Sequence, residues 1–145
     1  MAKVYVSAVL NGPTEMAWGF VRDFNGLPSW LPGIMSSEIE EGKLADEIGA
    51  VRVMEVGPGM TVREKLLALC DDPYSITYSV IEGPLPLSNL TATINVRPVT
   101  EGGATFVEWF AEFDPNPGSE EKAPKILTSV YTGGLAALGE KIDDI

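Results

Sequence analysis

Histidine is absent from this chain of 145 residues, and cysteine occurs once, at Cys70. A Ser-His-Asp triad, a Cys-His pair and most zinc sites are thereby excluded, because histidine is the commonest side-chain base near neutral pH and the commonest metal ligand. Neither a metal nor a cofactor is expected, and any proton transfer falls to carboxylates and phenols. Two charged residues have a telling spacing. The turn signal Gly57-Pro58-Gly59 joins two strand-like runs, and pairing across it sets Val56 opposite Met60, Met54 opposite Val62 and Arg52 opposite Glu64. Both charges then fall on the apolar face, where a charge out of water is costly unless paired. Facing one another, they supply the pair. One reading is a structural salt bridge near the rim of a sheet. The other is an anchor for a polar group of a ligand, or a site where Glu64 acts as a base. A buried ion pair often contributes no more stability than apolar replacements would, so the second reading stays open beside the first.

The same pairing logic extends to the neighbouring hairpins. Across Asp71-Asp72-Pro73, Leu66 faces Tyr78 and Glu64 lies near Val80. Across Glu101-Gly102-Gly103, Val96 faces Val107, Ile94 faces Trp109, Ala92 faces Ala111 and Leu90 faces Phe113. One face collects these apolar residues. The other collects Glu55, Arg63, Lys65, Thr77, Thr91, Thr93, Asn95, Arg97, Glu108 and Glu112. The apolar row is the inner face.

The elements that carry these rows follow from periodicity. Residues 4–10 alternate as a strand, with Val4, Val6, Ala8 and Leu10 on one side, and they read as a strand rather than a signal peptide. Pro13 suits the first turn of a short helix reaching about Asp23, with Ala17, Trp18 and Val21 at helical spacing. A second, very short helix is expected next, capped by Asp23. Strands follow at about 34–41, 50–56, 60–70, 75–82, 89–99 and 104–114. From about Pro124, the set Leu127, Val130, Tyr131, Gly134, Leu135, Leu138 and Ile142 marks a long helix. A seven-stranded antiparallel sheet has one apolar face and only this helix to cover it, so the sheet must curl around the helix. The expected fold is α+β, a helix grip in one domain spanning residues 1–145.

Ala92, Ala111, Gly133, Gly134 and Ala137 put small residues where sheet and helix meet. A glycine inside a helix costs roughly 1 kcal/mol against alanine, so close approach or space for a guest is expected to offset it. Tyr78, Trp109 and Tyr131 surround that region, and aromatic walls with a few convergent polar groups describe an ordinary small-molecule pocket as well as an ordinary core. A net charge of −11, with the ten Lys and Arg residues scattered, makes nucleic acid and anionic membranes poor partners. No apolar run is long enough for membrane insertion. Cys70 follows Leu69 in an apolar run and reads as a buried bystander thiol, compatible with a cytoplasmic setting.

Taken in order, Pro13 with Trp18, Asp23-Phe24, Leu27-Pro28-Ser29-Trp30-Leu31-Pro32, Gly49-Ala50-Val51-Arg52, Val62-Arg63-Glu64-Lys65-Leu66, Thr77-Tyr78-Ser79-Val80, Glu82-Gly83-Pro84-Leu85-Pro86, Thr105-Phe106-Val107-Glu108-Trp109 and Tyr131-Thr132-Gly133-Gly134-Leu135 cover nearly the whole chain. In this order and spacing the chain resembles the SRPBCC superfamily, the START/Bet v 1-like helix-grip proteins, and within it the bacterial polyketide cyclase/dehydrase-like branch. The resemblance implies a deep cavity between sheet and terminal helix that receives hydrophobic ligands such as lipids, polyketides or aromatic metabolites. It makes Trp30, Arg52, Glu64, Tyr78, Trp109 and Tyr131 cavity residues, and Met54 and Ile94 from the inner row and Leu135 from the terminal helix join them. Family members that use a histidine as acid or base have no counterpart here.

Three functions compete. The first is binding of a small hydrophobic or aromatic molecule, by a monomer or a homodimer. The second is a cyclase- or dehydratase-like enzyme in which Glu64 takes a proton and Arg52 or a tyrosine hydroxyl stabilises the oxyanion. The third is a protein-interaction module using an apolar patch at Leu85, Leu87 and the Trp30 loop.

Overall fold

The N-terminal alternation forms β1, Ala2–Leu10, in the computed structural model, which describes residues 1–143. Residues 144 and 145, the end of the expected domain, lie outside the described residues. Helix α1, Thr14–Arg22, and a 3₁₀ turn at Leu27–Ser29 come next. Strands β2 (Ser36–Ile39), β3 (Val51–Gly57), β4 (Met60–Asp71), β5 (Tyr74–Glu82), β6 (Leu87–Pro98) and β7 (Thr105–Pro115) then lead to helix α2, Lys122–Asp143. The strands form one antiparallel sheet in the order β1-β7-β6-β5-β4-β3-β2. This is the helix-grip fold.

Hairpin loops this short make neighbours antiparallel, and alternation decides which side chains turn inward. Val96 faces Val107, Ile94 faces Trp109, Ala92 faces Ala111 and Leu66 faces Tyr78. All eight side chains are buried, with the polar row outside. Complete burial of a side chain such as Phe113 or Leu66 contributes roughly 1.5–3 kcal/mol relative to leaving it exposed.

Helix α2 buries Ala123, Leu127, Tyr131, Gly134, Leu135, Leu138 and Ile142, the stripe that a period of 3.6 requires. It lies along β1 and β7. Glycine permits this approach. A Cβ on Gly134 would sit 2.8 Å from both Leu31 Cδ1 and Trp109 Cζ3, and one on Gly139 would sit 3.2 Å from Leu10 Cδ2. Helix α1 is held at both ends. The Thr105 hydroxyl donates to the Gly12 carbonyl at 2.8 Å, so Thr14 donates to Thr105 across their 3.0 Å contact. Trp18 stacks on Tyr74 at 5.0 Å and donates its Nε1–H to Asp71, whose carboxylate Arg22 also clamps.

Several local expectations are overturned. Met60 pairs with Gly57 rather than Val56, because the register shifts between Glu55 and Gly57. Leu90 and Phe113 are both buried but are not partners, since β6 and β7 lose register between Ser88 and Thr91, where Asn89 adopts φ 54°. Cys70 is exposed. A further shift between Leu66 and Ala68 adds one residue to β4, which turns Leu69 inward and Cys70 out. The strand expected over 34–41 is limited to β2, and a 3₁₀ turn with Glu41 at φ 58° replaces its end. Gly26 occupies the cap position of the 3₁₀ turn expected to be capped by Asp23, with no side-chain bond. Gly133 faces solvent and touches nothing, so close approach explains only Gly134. Trp30 is buried, at 5% exposure, and cannot contribute to an exposed patch. Among the described residues no helix is long and apolar enough to cross a membrane.

Candidate binding cavity

Arg52 on β3 and Glu64 on β4 are direct partners across the hairpin, and both are buried. Arg52 donates from Nε (2.9 Å) and Nη2 (2.6 Å) to the same oxygen, Glu64 Oε1, while Nη1 donates to the Phe24 carbonyl at 2.7 Å. Its guanidinium carbon lies 4.0 Å from the centre of the Phe24 ring and 5.0 Å from that of Tyr78, so the cation is held between two aromatic faces. Every guanidinium nitrogen is therefore engaged. On the carboxylate, by contrast, no hydrogen bond among the described residues reaches Oε2.

The phenols lie beside this pair. Tyr78 is next along the inner face of β5 from Val80, the partner of Glu64. Its oxygen accepts a hydrogen bond from Trp109 Nε1 at 3.1 Å, which leaves the Tyr78 proton available for donation. Trp109 stacks on Tyr131 of α2 with ring centres 4.2 Å apart, under the gap left by Gly134. Burial pushes both phenols above their ordinary range. For Tyr78 the neighbouring Tyr131 and Glu64 add to the effect, and Arg52 and the Trp109 hydrogen bond oppose it. For Tyr131 the Glu64 carboxylate adds to it, and the Tyr78 hydroxyl opposes it. The two phenols and Glu64 thus sense one another.

Glu64, Tyr78, Trp109 and Tyr131 line one end of a half-open cavity of about 320 Å³. Met54, Val56, Met60, Val62 and Val80 form its floor. Leu127, Val130 and Tyr131 form the helical side. Leu27 with the 31–34 segment, and Pro84 with Leu85, close the rim. Glu64 is the one charged residue in this wall among the described residues. A larger concavity of about 710 Å³ opens where β5 and β6 separate beyond the Val80–Leu90 pair. Ser79, Ser88, Asn89 and Thr91 make much of its lining, and it holds neither the ion pair nor the phenols. The smaller hollow is the candidate site. No group of three or more His, Cys, Asp or Glu residues that could hold a metal occurs among the described residues.

Of the residues singled out in the sequence, Met54, Glu64, Tyr78, Trp109 and Tyr131 come together on the cavity wall. Arg52 lies behind Glu64 and outside the wall. Trp30 packs against Trp109 with ring centres 6.2 Å apart, and its Nε1 is buried without a partner. Ile94 and Leu135 belong to the packed core. The rim residues Leu31, Pro32, Gly33, Ile34, Pro84 and Leu85 were absent from the expected set. Their signal was present in the Leu-Pro and Gly-Pro-Leu-Pro segments, which stiffen a loop without showing where it folds.

Residues 1–143 match the family described as polyketide cyclase / dehydrase and lipid transport. Among solved structures, the protein XoxI from Bacillus cereus is 35% identical, with a TM-score of 0.89 over 99% of this chain and 97% of that one. A protein from Bacillus thuringiensis is also 35% identical, with a TM-score of 0.87 over 97% and 98% of the two chains. Norcoclaurine synthase from Thalictrum flavum, solved in complex with dopamine and hydroxybenzaldehyde, shares the fold at 19% identity, with a TM-score of 0.77 over 99% and 87%. This chain belongs to the polyketide cyclase/dehydrase and lipid transport family, within the SRPBCC superfamily.

Proposed function

We propose that the protein binds a small, largely apolar, ring-bearing molecule inside the helix grip. The observation that carries this reading is the half-open hollow of about 320 Å³, whose wall is apolar except for Glu64 and the aromatic polar tips at one end. That volume lies at the small end of ordinary ligand pockets. A dry cavity of about 150 Å³ accepts benzene, so this hollow suits a guest about twice that size rather than a long-chain lipid. The test is methyl NMR of the methionines with naphthalene as probe, beside native mass spectrometry of gently purified protein. Shifts at Met54 and Met60, or a co-purified small mass, are expected. Silence in both measurements would remove the proposal.

A second reading is favoured by the carboxylate geometry. Arg52 pins Glu64 Oε1, whereas Oε2 receives no hydrogen bond among the described residues, on a residue that lines the hollow. A carboxylate held in this way can take a proton from a bound polyketide-like substrate. Lying behind Glu64 and outside the wall, Arg52 would then orient the base, and oxyanion stabilisation would fall to Tyr78 or Tyr131. Glu64→Gln keeps the shape of the side chain, and unchanged turnover in that variant would eliminate this reading.

A further inference from the structure

We infer that the polar end of the cavity selects a guest carrying an uncharged hydroxyl, a phenol or an alcohol, over one carrying a carboxylate or an ammonium group. The inference rests on the reading that the hollow holds a guest, and it adds which head group that guest presents. Glu64 Oε2 is an acceptor with no donor among the described residues, in a wall that otherwise offers only apolar surface and aromatic tips. A guest satisfies it by donating a hydrogen bond. A hydroxyl does this and can also accept one in return, and the phenol protons of Tyr78 and Tyr131 lie at the same end of the cavity.

The charged alternatives fail for different reasons. A carboxylate head would bring a second acceptor-only anion against Glu64 in a protein of net charge −11, with Arg52 behind Glu64 and outside the wall. An ammonium head would find Glu64 already neutralised by Arg52. Among the described residues the wall contains no second carboxylate, so one positive charge would be buried without compensation. Only the neutral donor leaves the buried pair balanced.

The experiment compares naphthalene, naphthalenemethanol, naphthalenemethylamine and naphthoate by calorimetric or NMR titration of the intact protein at neutral pH. Naphthalenemethanol is expected to bind about tenfold tighter than naphthalene, the scale of one hydrogen bond to a charged acceptor. Naphthoate and the amine are expected to bind more weakly than the alcohol. In Glu64→Gln, Arg52 retains the side-chain oxygen and the amide NH₂ turns toward the hollow. The site then offers a donor, and the order of alcohol and naphthoate should reverse. Equal binding of all four probes, or tightest binding of the acid or the amine, overturns the inference while the binding function survives. Failure of every probe, naphthalene included, overturns the binding function itself. The wild-type series decides the matter even where the Gln variant does not fold.

Discussion

The two sides of the grip are built differently. Beneath α2, β1 and β7 pair without a register break from Ala2–Phe113 to Leu10–Thr105, and the helix closes on them at Gly139. Val107, Phe113, Leu135 and Leu138 are buried there with almost no exposure. On the other side, β3, β4 and β5 carry register shifts at Glu55/Gly57, Arg63/Glu64 and Leu66/Ala68, and their inner face meets the hollow instead of the helix. The breaks at Glu55/Gly57 and Arg63/Glu64, and the one between β6 and β7 beside Leu90, border the hollow, whereas the break at Leu66/Ala68 lies against filled core. A bulge sharpens the local bend and twist of a strand, so the irregular strands can curve away from a helix that the regular ones touch. The charged pair sits on the irregular side, where apolar packing is least complete.

The contrast should fail first at the ion pair. Arg52→Met leaves Glu64 buried without its cation and is expected to destabilise the fold by about 3–5 kcal/mol, read from the urea midpoint. A loss below about 1 kcal/mol would mean that water already reaches the carboxylate freely. The next test applies one enlargement to both sides. Val107→Phe overfills the packed side and should cost about 1–3 kcal/mol, whereas Val62→Phe grows into the hollow, should cost little, and should abolish probe binding. Similar costs at both positions would contradict an open interior.

Alkaline titration separates the sides by charge. Tyr78 and Tyr131 have folded values raised above the ordinary phenol value near 10, chiefly by burial. Their contribution is therefore complete below pH 10 and declines as pH rises, because the unfolded chain releases its protons first. The expected slope is about 1.4 kcal/mol per pH unit for each phenol, and Tyr131→Phe should remove one share of it. The smallest effects concern adjacent glycines. Gly134→Ala drives a methyl into Trp109, which is stacked on Tyr131 and cannot yield, and should cost about 1 kcal/mol net. Gly133→Ala meets nothing and should stabilise the helix by up to about 1 kcal/mol. Thermal melts of the two variants should shift in opposite directions.

Much of this arrangement could be read from residue order. Alternation is a strong signal where one face is buried, so the partners Arg52–Glu64, Leu66–Tyr78 and Ile94–Trp109 followed from turn positions alone. The bulges could not be read that way. An added residue has no compositional mark, yet Leu67 in β4 puts Cys70 outside, and Val56 in β3 puts Met60 opposite Gly57. The rim was hidden for another reason. Pro32, Pro84 and Leu85 lie in loops whose path depends on tertiary contacts such as the Asn116 amide bonded to the Pro86 carbonyl. Residue order placed Glu64, Tyr78 and Trp109 on the inner face of the sheet, where they are buried. It did not reveal that Arg52 would lie outside the cavity wall, bonded to the Phe24 carbonyl.

The extra residues in β3, β4 and β5 also bear on how such a container could diverge. Sliding a bulge two positions along its strand preserves which side chains point inward, since orientation repeats every second residue, but relocates the bend. Two descendants with the same interior composition could then enclose differently shaped spaces. Repertoire could widen in this fold through backbone phase alone, before any residue touching a guest is exchanged.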